Sequence, residues 1–291
     1  MKSKIGSVVL ISLGILLAGC GKETEETGEE VVTTVEESVA SNLTEDDTEN
    51  LAESQETEEP GTVSTIIEIE NPSWDYYIEG EAGAAASPLN IVQLTEEANE
   101  IIDTEKWFAR NDLSLADEGD ERYFCEIYSP YDSEERSIQV TDTESGESFT
   151  VDLEGFRYAD DFAEDDESFV EQIIRYAKAE DGVLYFSIGH LTYADFSPHN
   201  AYVAAVDLAE KKLLWKSEPL VSNANNFVIA GDVLLCGYGF TSEPDYLYQL
   251  DLISGKVIDE IPLKSMADYL ILKDNVLYVR TYNTDYTFQV E

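Results

Sequence analysis

Two histidines and a nearby aspartate are the first candidates for chemistry in this sequence of 291 residues. His190 and His199 flank a loop that also contains Asp195. Two imidazoles and a carboxylate can bind zinc, but their spacing matches no established ligand pattern. We therefore interpret both histidines as surface or capping residues and expect no bound metal. The acidic run 164–167 lacks the alternating D-x-D-x-D-G pattern of a calcium loop, so it indicates solvated loop charge.

Catalytic motifs are sparse in the rest of the chain. The sequence contains neither G-x-S-x-G nor H-E-x-x-H, so neither a serine hydrolase nor a zinc protease is indicated. It does contain 62 aspartates and glutamates, and a pair of carboxylates can perform general acid–base catalysis. A hydrolase or lyase that uses such a pair remains an alternative, because the sequence does not show which carboxylates converge.

Aromatic side chains offer a second kind of site, for binding rather than catalysis. They are frequent beside the segments that would connect predicted strands, and exposed tyrosines there could hold a peptide or a glycan. Tyrosine is also common in half-buried strands, so both interpretations remain open. The loop 237–246 is the first candidate, and Tyr286 is another of the aromatic residues beside these segments. The binding residues that we consider are Tyr193, Phe196, Tyr238, Phe240, Tyr246 and Tyr282.

The segment AVDLAEKKLLW, residues 205–215, is the test case for the elements that must position these side chains. Taken alone, it is consistent with one amphipathic helix. Its context favours strands, because residues 181–188 open with a turn dipeptide and are rich in β-forming residues, as are residues 201–206. The same order recurs at 232–259. The pattern therefore predicts a strand, a turn and a second strand.

A residue that can cap a turn is repeatedly followed, four positions later, by a turn residue. The Asp or Thr side chain can accept hydrogen bonds within the turn, and the later position favours a positive φ, which suits glycine or asparagine. Four-stranded units of about 40–50 residues are typical of propeller blades. We therefore predict an all-β fold, a β-propeller of about five four-stranded blades. The turn pairs are Thr95 and Asn99, Asp142 and Gly146, Asp207 and Lys211, and Asp251 and Gly255.

One of these units resembles the tryptophan-docking motif, A-x-D-x-x-x-G-x-x-x-W, of quinoprotein-like (PQQ-like) β-propellers. The matching residues are Ala205, Asp207 and Trp215, with Lys211 in place of the glycine. The resemblance implies that Trp215 packs against a neighbouring blade and that Ala205 leaves room for it. The enzymes of this family carry an adjacent Cys-Cys pair that this sequence lacks, so we expect no quinone or other cofactor. The family also includes non-catalytic envelope lipoproteins, which this chain resembles more.

The N-terminus resembles a bacterial lipoprotein signal peptide. Lys2 and Lys4 precede the apolar run 5–17, and Ala-Gly then precedes Cys20. The resemblance implies that residues 1–19 are a signal peptide that is removed, and that Cys20 receives a diacylglyceryl group and an acyl chain such as palmitate. Several acyl chains hold a protein stably on a membrane. We therefore expect a lipid-anchored protein on the extracytoplasmic face of a bacterial cell membrane.

Composition separates an acidic linker from a folded domain. Residues 21–62 contain fifteen acidic residues, one lysine and no aromatic residue, so residues 20–62 are predicted to be a disordered linker behind the lipidated cysteine. Of the total charge of −45, this segment carries −14 and the first twenty residues carry +2, which leaves −33 on the domain at 63–291. Such a surface repels phosphate backbones, so we expect no nucleic-acid partner. It either favours cationic partners or serves solubility alone.

Two further cysteines and one β-rich segment carry expectations about packing and closure. Cys125 and Cys236 align with inward positions on non-adjacent blades, which is too far apart for a disulfide. We therefore predict two buried, unpaired thiols that act as small apolar residues. Residues 62–70 are predicted to form either the strand that closes the last blade or the innermost strand of the first blade.

The favoured interpretation is a non-enzymatic, lipid-anchored, extracytoplasmic β-propeller. It would bind or scaffold a protein or glycan partner at the cell envelope through its loops. The alternative is an envelope hydrolase or lyase that uses carboxylates on the loop face of the propeller. A third hypothesis is a solute-sensing ectodomain, which would need a partner to transmit a signal.

Overall fold

The computed structural model describes residues 65–81, 83–99, 103–115, 122–127, 136–159 and 161–291. The predicted signal peptide 1–19, the lipid anchor at Cys20 and the linker 20–62 lie outside these residues. The described chain consists mainly of strands, with two short α-helices, α1 (Thr104–Arg110) and α2 (Glu167–Val170). None of its helices has the length and apolar character that crossing a membrane requires.

The strands form four sheets, which we number as blades, and each contains strands that are consecutive in the chain. Blade 1 contains β4 (Tyr123–Ile127), β5 (Ser137–Asp142) and β6 (Ser148–Asp152), with β1 (Thr65–Glu68) on its edge. Blade 2 contains β7 (Ile173–Glu180), β8 (Val183–Gly189), β9 (Tyr202–Asp207) and β10 (Lys212–Lys216), with β2 (Tyr77–Ile78) on its edge. Blade 3 contains β11 (Val228–Ala230), β12 (Val233–Tyr238), β13 (Tyr246–Asp251) and β14 (Val257–Pro262). Blade 4 contains β15 (Ala267–Lys273), β16 (Val276–Thr281) and β17 (Thr284–Val290), and β3 (Ile91–Ala98) completes it.

Apolar side chains fill the space between successive blades. Phe186 belongs to the core between blades 1 and 2, Trp215 to the core between blades 2 and 3, and Leu247 to the core between blades 3 and 4. Sheets that pack face to face in this order make a β-propeller, so the predicted all-β propeller fold is confirmed. Cys125 and Cys236 are fully buried in two different cores, and no disulfide joins them, as predicted.

The described propeller has four sheets rather than about five, because the first and last units of the sequence share one sheet. The hairpin predicted at Thr95 and Asn99 is wrong. Thr95 lies within β3, and its Oγ1 is 2.7 Å from Oγ1 of Thr287 in β17. The threonine is thus a cross-strand partner rather than a turn cap, since β3 pairs with β17 along its whole length. Closure belongs to β3, and the described part of residues 62–70 instead forms β1, which pairs in parallel with β6.

Three aspartates hold the turns between the third and fourth strands of blades 1 to 3. In each turn, one carboxylate oxygen accepts hydrogen bonds from the backbone N–H groups two and three residues later, at 2.7–3.2 Å. The residue four positions on has a positive φ, which glycine adopts without strain and lysine does not. These turns are Asp142 with Gly146 (74°), Asp207 with Lys211 (58°) and Asp251 with Gly255 (69°).

Trp215 locks blade 2 onto the turn of blade 3. Its indole Nε1 donates to the carbonyl oxygen of Leu252 at 3.1 Å, and its ring lies over Gly255. A Cβ added at Gly255 would be only 2.3 Å from the ring carbon Cε3. Ala205 is the cross-strand partner of Trp215 and is fully buried. The tryptophan therefore packs against the neighbouring blade, as the resemblance implies.

The N-terminal strap, which we define as residues 65–98 without residue 82, contacts all four blades. It adds β1 to blade 1 and β2 to blade 2. It then crosses blade 3, where the N–H of Ala86 donates to the carboxylate of Asp251 and the N–H of Leu89 donates to Oε1 of Gln249 at 2.8 Å. It ends as β3 in blade 4. The strap thus connects the blades along their outer edges.

A buried lysine anchors the strap to blade 2. Lys216 has no solvent exposure, and its Nζ donates to Oδ1 of Asn71 at 3.0 Å and to the carbonyl oxygen of Ser73. The rings of Trp74 and Tyr202 lie 5.7 and 5.1 Å from the ammonium. Burial lowers the pKa of Lys216 to about 7, because the charged form loses its solvation. The strap therefore depends on a lysine whose charged form is costly to bury.

Lys216→Met should change how stability varies with pH. Between about pH 7 and 10.5 the unfolded chain binds a proton at this lysine and the folded chain does not, so stability of the wild type should rise with pH in this window. From pH 7 to 9.5 the contribution is about 3 kcal/mol. Urea unfolding across this range should show a flatter pH dependence for K216M. The control is K212M, which removes a partly exposed lysine of the same strand, and an equal slope in K216M and the wild type would contradict the burial of a neutral amine.

Gly255→Ala should destabilise the protein more than Gly146→Ala. Both glycines occupy the same turn position with positive φ, but only Gly255 faces Trp215, and nothing lies within 4 Å of a Cβ at Gly146. Strain at positive φ costs both variants about 1 kcal/mol, and overpacking adds about 1–3 kcal/mol to G255A alone. Urea unfolding measures the difference. Equal losses would show that Trp215 does not lock the two blades.

Candidate functional site

The loops that join the second and third strands of the blades lie at one end of the propeller, which we call the loop face. They comprise residues 190–201 in blade 2, 239–245 in blade 3 and 282–283 in blade 4. The innermost strands β7, β11 and β15 begin at the same end, because each pairs antiparallel with the second strand of its blade. Any ligand that approaches this end meets both the loops and the start of the inner strands.

An aromatic patch, which we define as Leu191, Tyr193, Phe196 and Phe240, lies on the loops of blades 2 and 3. Leu191, Tyr193 and Phe196 are 51%, 42% and 39% exposed. Tyr193 and Phe240 meet edge to face across the two blades, with ring centroids 5.0 Å apart. Exposed apolar side chains on neighbouring loops are typical of binding surfaces.

Glu243 fixes the two loops of the aromatic patch to each other. Its Oε1 accepts a hydrogen bond from the N–H of Ala194 in blade 2 at 2.9 Å, and its Oε2 accepts one from the hydroxyl of Tyr238 in blade 3. This carboxylate therefore braces the patch before any ligand binds, which lowers the entropy lost on binding.

The other predicted binding residues do not join the patch. Tyr238 is buried, and burial together with its bond to Glu243 raises the pKa of its phenol. Tyr246 is half-buried beside Tyr248, with ring centroids 5.7 Å apart. Tyr286 is buried, and its hydroxyl accepts from the N–H of Lys264 at 3.0 Å. Tyr282 is exposed on the loop of blade 4, apart from the two loops that carry the patch.

The two histidines stabilise the loop of blade 2 rather than meeting each other. His190 is buried, its Nε2 lies 2.8 Å from the carbonyl oxygen of Ser197, and burial lowers its pKa. His199 lies between two carboxylates, with Nε2 2.7 Å from Oδ1 of Asp75 and Nδ1 2.7 Å from Oδ2 of Asp161. Asp195 is exposed. Among the residues that the structure describes, no group of His, Cys, Asp and Glu side chains is suited to hold a metal ion.

An inner charge cluster, which we define as Arg175, Asp268, Arg280 and Asp285, was not predicted from the sequence. Asp268 is the second residue of β15 and is half-buried. Burial raises its pKa to about 6, the charge of Asp285 adds to this shift, and Arg280 and Arg175 oppose it. Arg175 donates to Oδ1 of Asn225 at 3.0 Å, and Nη1 of Arg280 lies 3.8 Å from Oδ1 of Asp285. A carboxylate that titrates near neutral pH at the start of an inner strand is typical of a functional site.

Helix α1 forms one wall of the inner charge cluster. Trp107 is buried beneath the guanidinium of Arg280, which lies 5.5 Å from its ring, and the ring of Phe108 is 5.4 Å from that of Tyr269. The helix begins at its cap Asp103, whose Oδ1 accepts from the N–H of Lys106 at 3.2 Å. Helix α1 thus contacts β15 through Tyr269 and β16 through Arg280.

Asp268→Asn should stabilise the protein at high pH. Because the folded pKa of Asp268 is raised, ionisation costs stability as the pH rises through about 6, and the cost reaches about 3 kcal/mol at pH 8. The amide removes that charge, so thermal unfolding should show D268N above the wild type at pH 8, with the difference shrinking to about a third at pH 4.5. Asp195→Asn, at an exposed site on the same face, should show no such dependence. Lower stability of D268N at pH 8 would contradict the assignment.

Comparison with known proteins gives no family assignment. No family model and no curated protein matches the chain. Solved structures that are similar to parts of it include the dihydro-heme d1 dehydrogenase NirN in complex with DHE, at 11% identity and a TM-score of 0.34, over 55% of this chain and 31% of that chain. BamB from Moraxella catarrhalis is similar at 13% identity and a TM-score of 0.29, over 53% of this chain and 53% of that chain. A chain of the mitotic checkpoint complex is similar at 14% identity and a TM-score of 0.37, over 70% of this chain and 53% of that chain. The chain thus spans about a third to a half of the length of these structures, and its propeller fold rests on the pairing of its own strands.

Proposed function

We propose that this protein is a non-enzymatic, extracytoplasmic β-propeller that binds a protein partner through the aromatic patch of its loop face. The observation that supports this most strongly is the patch itself, in which the exposed Tyr193 of blade 2 meets the half-buried Phe240 of blade 3 at 5.0 Å and Glu243 braces the two loops. Rigid aromatic side chains on a fixed scaffold supply contact area at little cost in entropy, which is how binding hot spots are built.

A protein partner is favoured over a glycan by the composition of the patch. Leu191 and the two phenylalanines offer no hydrogen-bonding group to sugar hydroxyls, and the edge-to-face contact of Tyr193 with Phe240 already covers part of both rings. Apolar side chains of a protein would bury the exposed remainder. A glycan partner is the other outcome that the experiment below can reveal.

The cell envelope is the proposed location, through lipid on Cys20 and the acidic linker 20–62. The sequence at residues 1–20 supports this, because its basic start, apolar run and Cys20 resemble a lipoprotein signal. A linker of this length would let the domain reach at most about 140 Å from the membrane if it were fully extended. Such reach suits a domain that displays a binding face to partners beyond the membrane surface.

The inner charge cluster supports a second candidate function, an envelope hydrolase or lyase that uses carboxylates. Burial raises the pKa of Asp268 to about 6 and that of its neighbour Asp285 in the same direction, which is the environment that a carboxyl acting as a general acid needs. The purified protein would then release fragments from cell-wall glycan with a rate that changes near pH 6. Loss of that rate in D268N would favour this candidate over the binding role.

Photo-crosslinking in intact cells tests the binding role. A photoreactive phenylalanine analogue placed at Tyr193 or Phe240 should form an adduct of discrete mass with one protein. Ile253 is the matched control, because it is 70% exposed but lies in a turn between third and fourth strands, at the opposite end of the propeller. We expect no adduct there. Equal labelling at all three positions, or none at Tyr193 and Phe240, would contradict the proposal.

A further inference from the structure

The loop of blade 3 that carries Phe240 packs against the segment of blade 4 that precedes Asp268. Gly239, at the start of the blade 3 loop, packs so closely on blade 4 that an added Cβ would lie 2.9 Å from the Cα of Met266, two residues before Asp268. Nδ2 of Asn223 donates to the carbonyl oxygen of Gly239 at 2.7 Å, and the N–H of Asn225 donates to that of Asp268 at 2.9 Å. These contacts connect the loop of blade 3 with the start of β15.

The carboxylate of Asp268 is an acceptor that the described residues leave without a donor. It forms none of the hydrogen bonds or ion pairs found among them, and it is half-buried, so water solvates it only in part. The nearby guanidinium groups have other contacts, Arg175 with Asn225 and Arg280 with Asp285. A half-buried carboxylate in this condition gains free energy when a donor from outside reaches it.

Resting on the function proposed above, we propose that the partner inserts a lysine or arginine side chain against Asp268 while its neighbouring apolar side chains pack on the aromatic patch. In such a segment the basic side chain would meet Asp268, and the apolar side chains beside it would meet the aromatic patch. The charge of −33 on residues 63–291 would also steer such a segment toward the domain.

Other ligands fit this surface less well. A metal ion needs several oxygen or nitrogen ligands at once, and the described residues bring no such group together. A phosphate or carboxylate group would be repelled by the charge of −33 on residues 63–291, and Arg175 and Arg280 already have carboxylate or amide partners. Of the protein, metal and anionic ligands considered, a cationic side chain of a protein fits the surface best.

Two short peptides test the inference directly. The probes are acetyl-Leu-Lys-Phe-amide and acetyl-Leu-norleucine-Phe-amide, which differ only in the terminal ammonium group, titrated into the full chain at pH 7.5 by calorimetry or NMR. We expect the lysine peptide to bind at least about tenfold more tightly, as one charge-assisted contact allows. In D268N the two affinities should become equal, whereas D195N, which removes an exposed charge on the same face, should keep the preference. Equal affinities for the wild type, or a preference that survives in D268N, would overturn the inference.

A second arm separates this inference from the proposed function. With the photoreactive analogue at Tyr193, D268N should lower the yield of the adduct at least about fivefold, and D195N should not. An unchanged yield in D268N would overturn the role of Asp268 and leave the binding role of the patch intact. A melting curve of each variant excludes unfolding as the cause, since D268N is expected to be the more stable protein at this pH.

Discussion

Completion of blade 4 by the N-terminal strap is the constraint on which the rest of this structure depends. Blade 4 has three strands of its own and obtains its fourth, β3, from the beginning of the described chain. The contact between Thr95 and Thr287 joins residues 192 positions apart, so closure must offset a large loss of chain entropy. The contacts of the strap with every blade offset this loss of entropy. The strap also covers the sheet edges of blades 1 and 2, which would otherwise be open to pairing with another chain.

Strand β10 joins this closure to the packing between blades. Its last two residues point to opposite faces, as neighbours on a strand must. Trp215 enters the turn of blade 3 and Lys216 binds the strap, so one strand fixes two partners. The loops at the other end of blades 2 and 3 are thereby held in fixed positions relative to each other, which allows Tyr193 and Phe240 to meet across the blade boundary.

The sequence allowed prediction of features that depend on local chemistry. An aspartate four residues before a glycine predicts a turn, because the capping side chain and the residue with positive φ lie within five residues of each other. The docking of Trp215 was predicted from the same repeat unit. The prediction at Thr95 failed because a threonine suits a strand as well as a turn, and only long-range pairing with β17 decides between them. Asp268 and Lys216 were missed for a related reason. Each is a common charged residue beside an apolar run, and its burial depends on segments far away in the chain.

Fragment complementation tests the role of the strap most directly. Two pieces would be prepared, residues 103–291 and a peptide of residues 65–99, and the unfolding of the larger piece would be followed by near-ultraviolet circular dichroism with and without the peptide. If the strap closes the propeller, residues 103–291 alone should show no cooperative transition, and the peptide should restore one with a midpoint that rises with its concentration. A cooperative transition of residues 103–291 alone, unaffected by the peptide, would contradict the account.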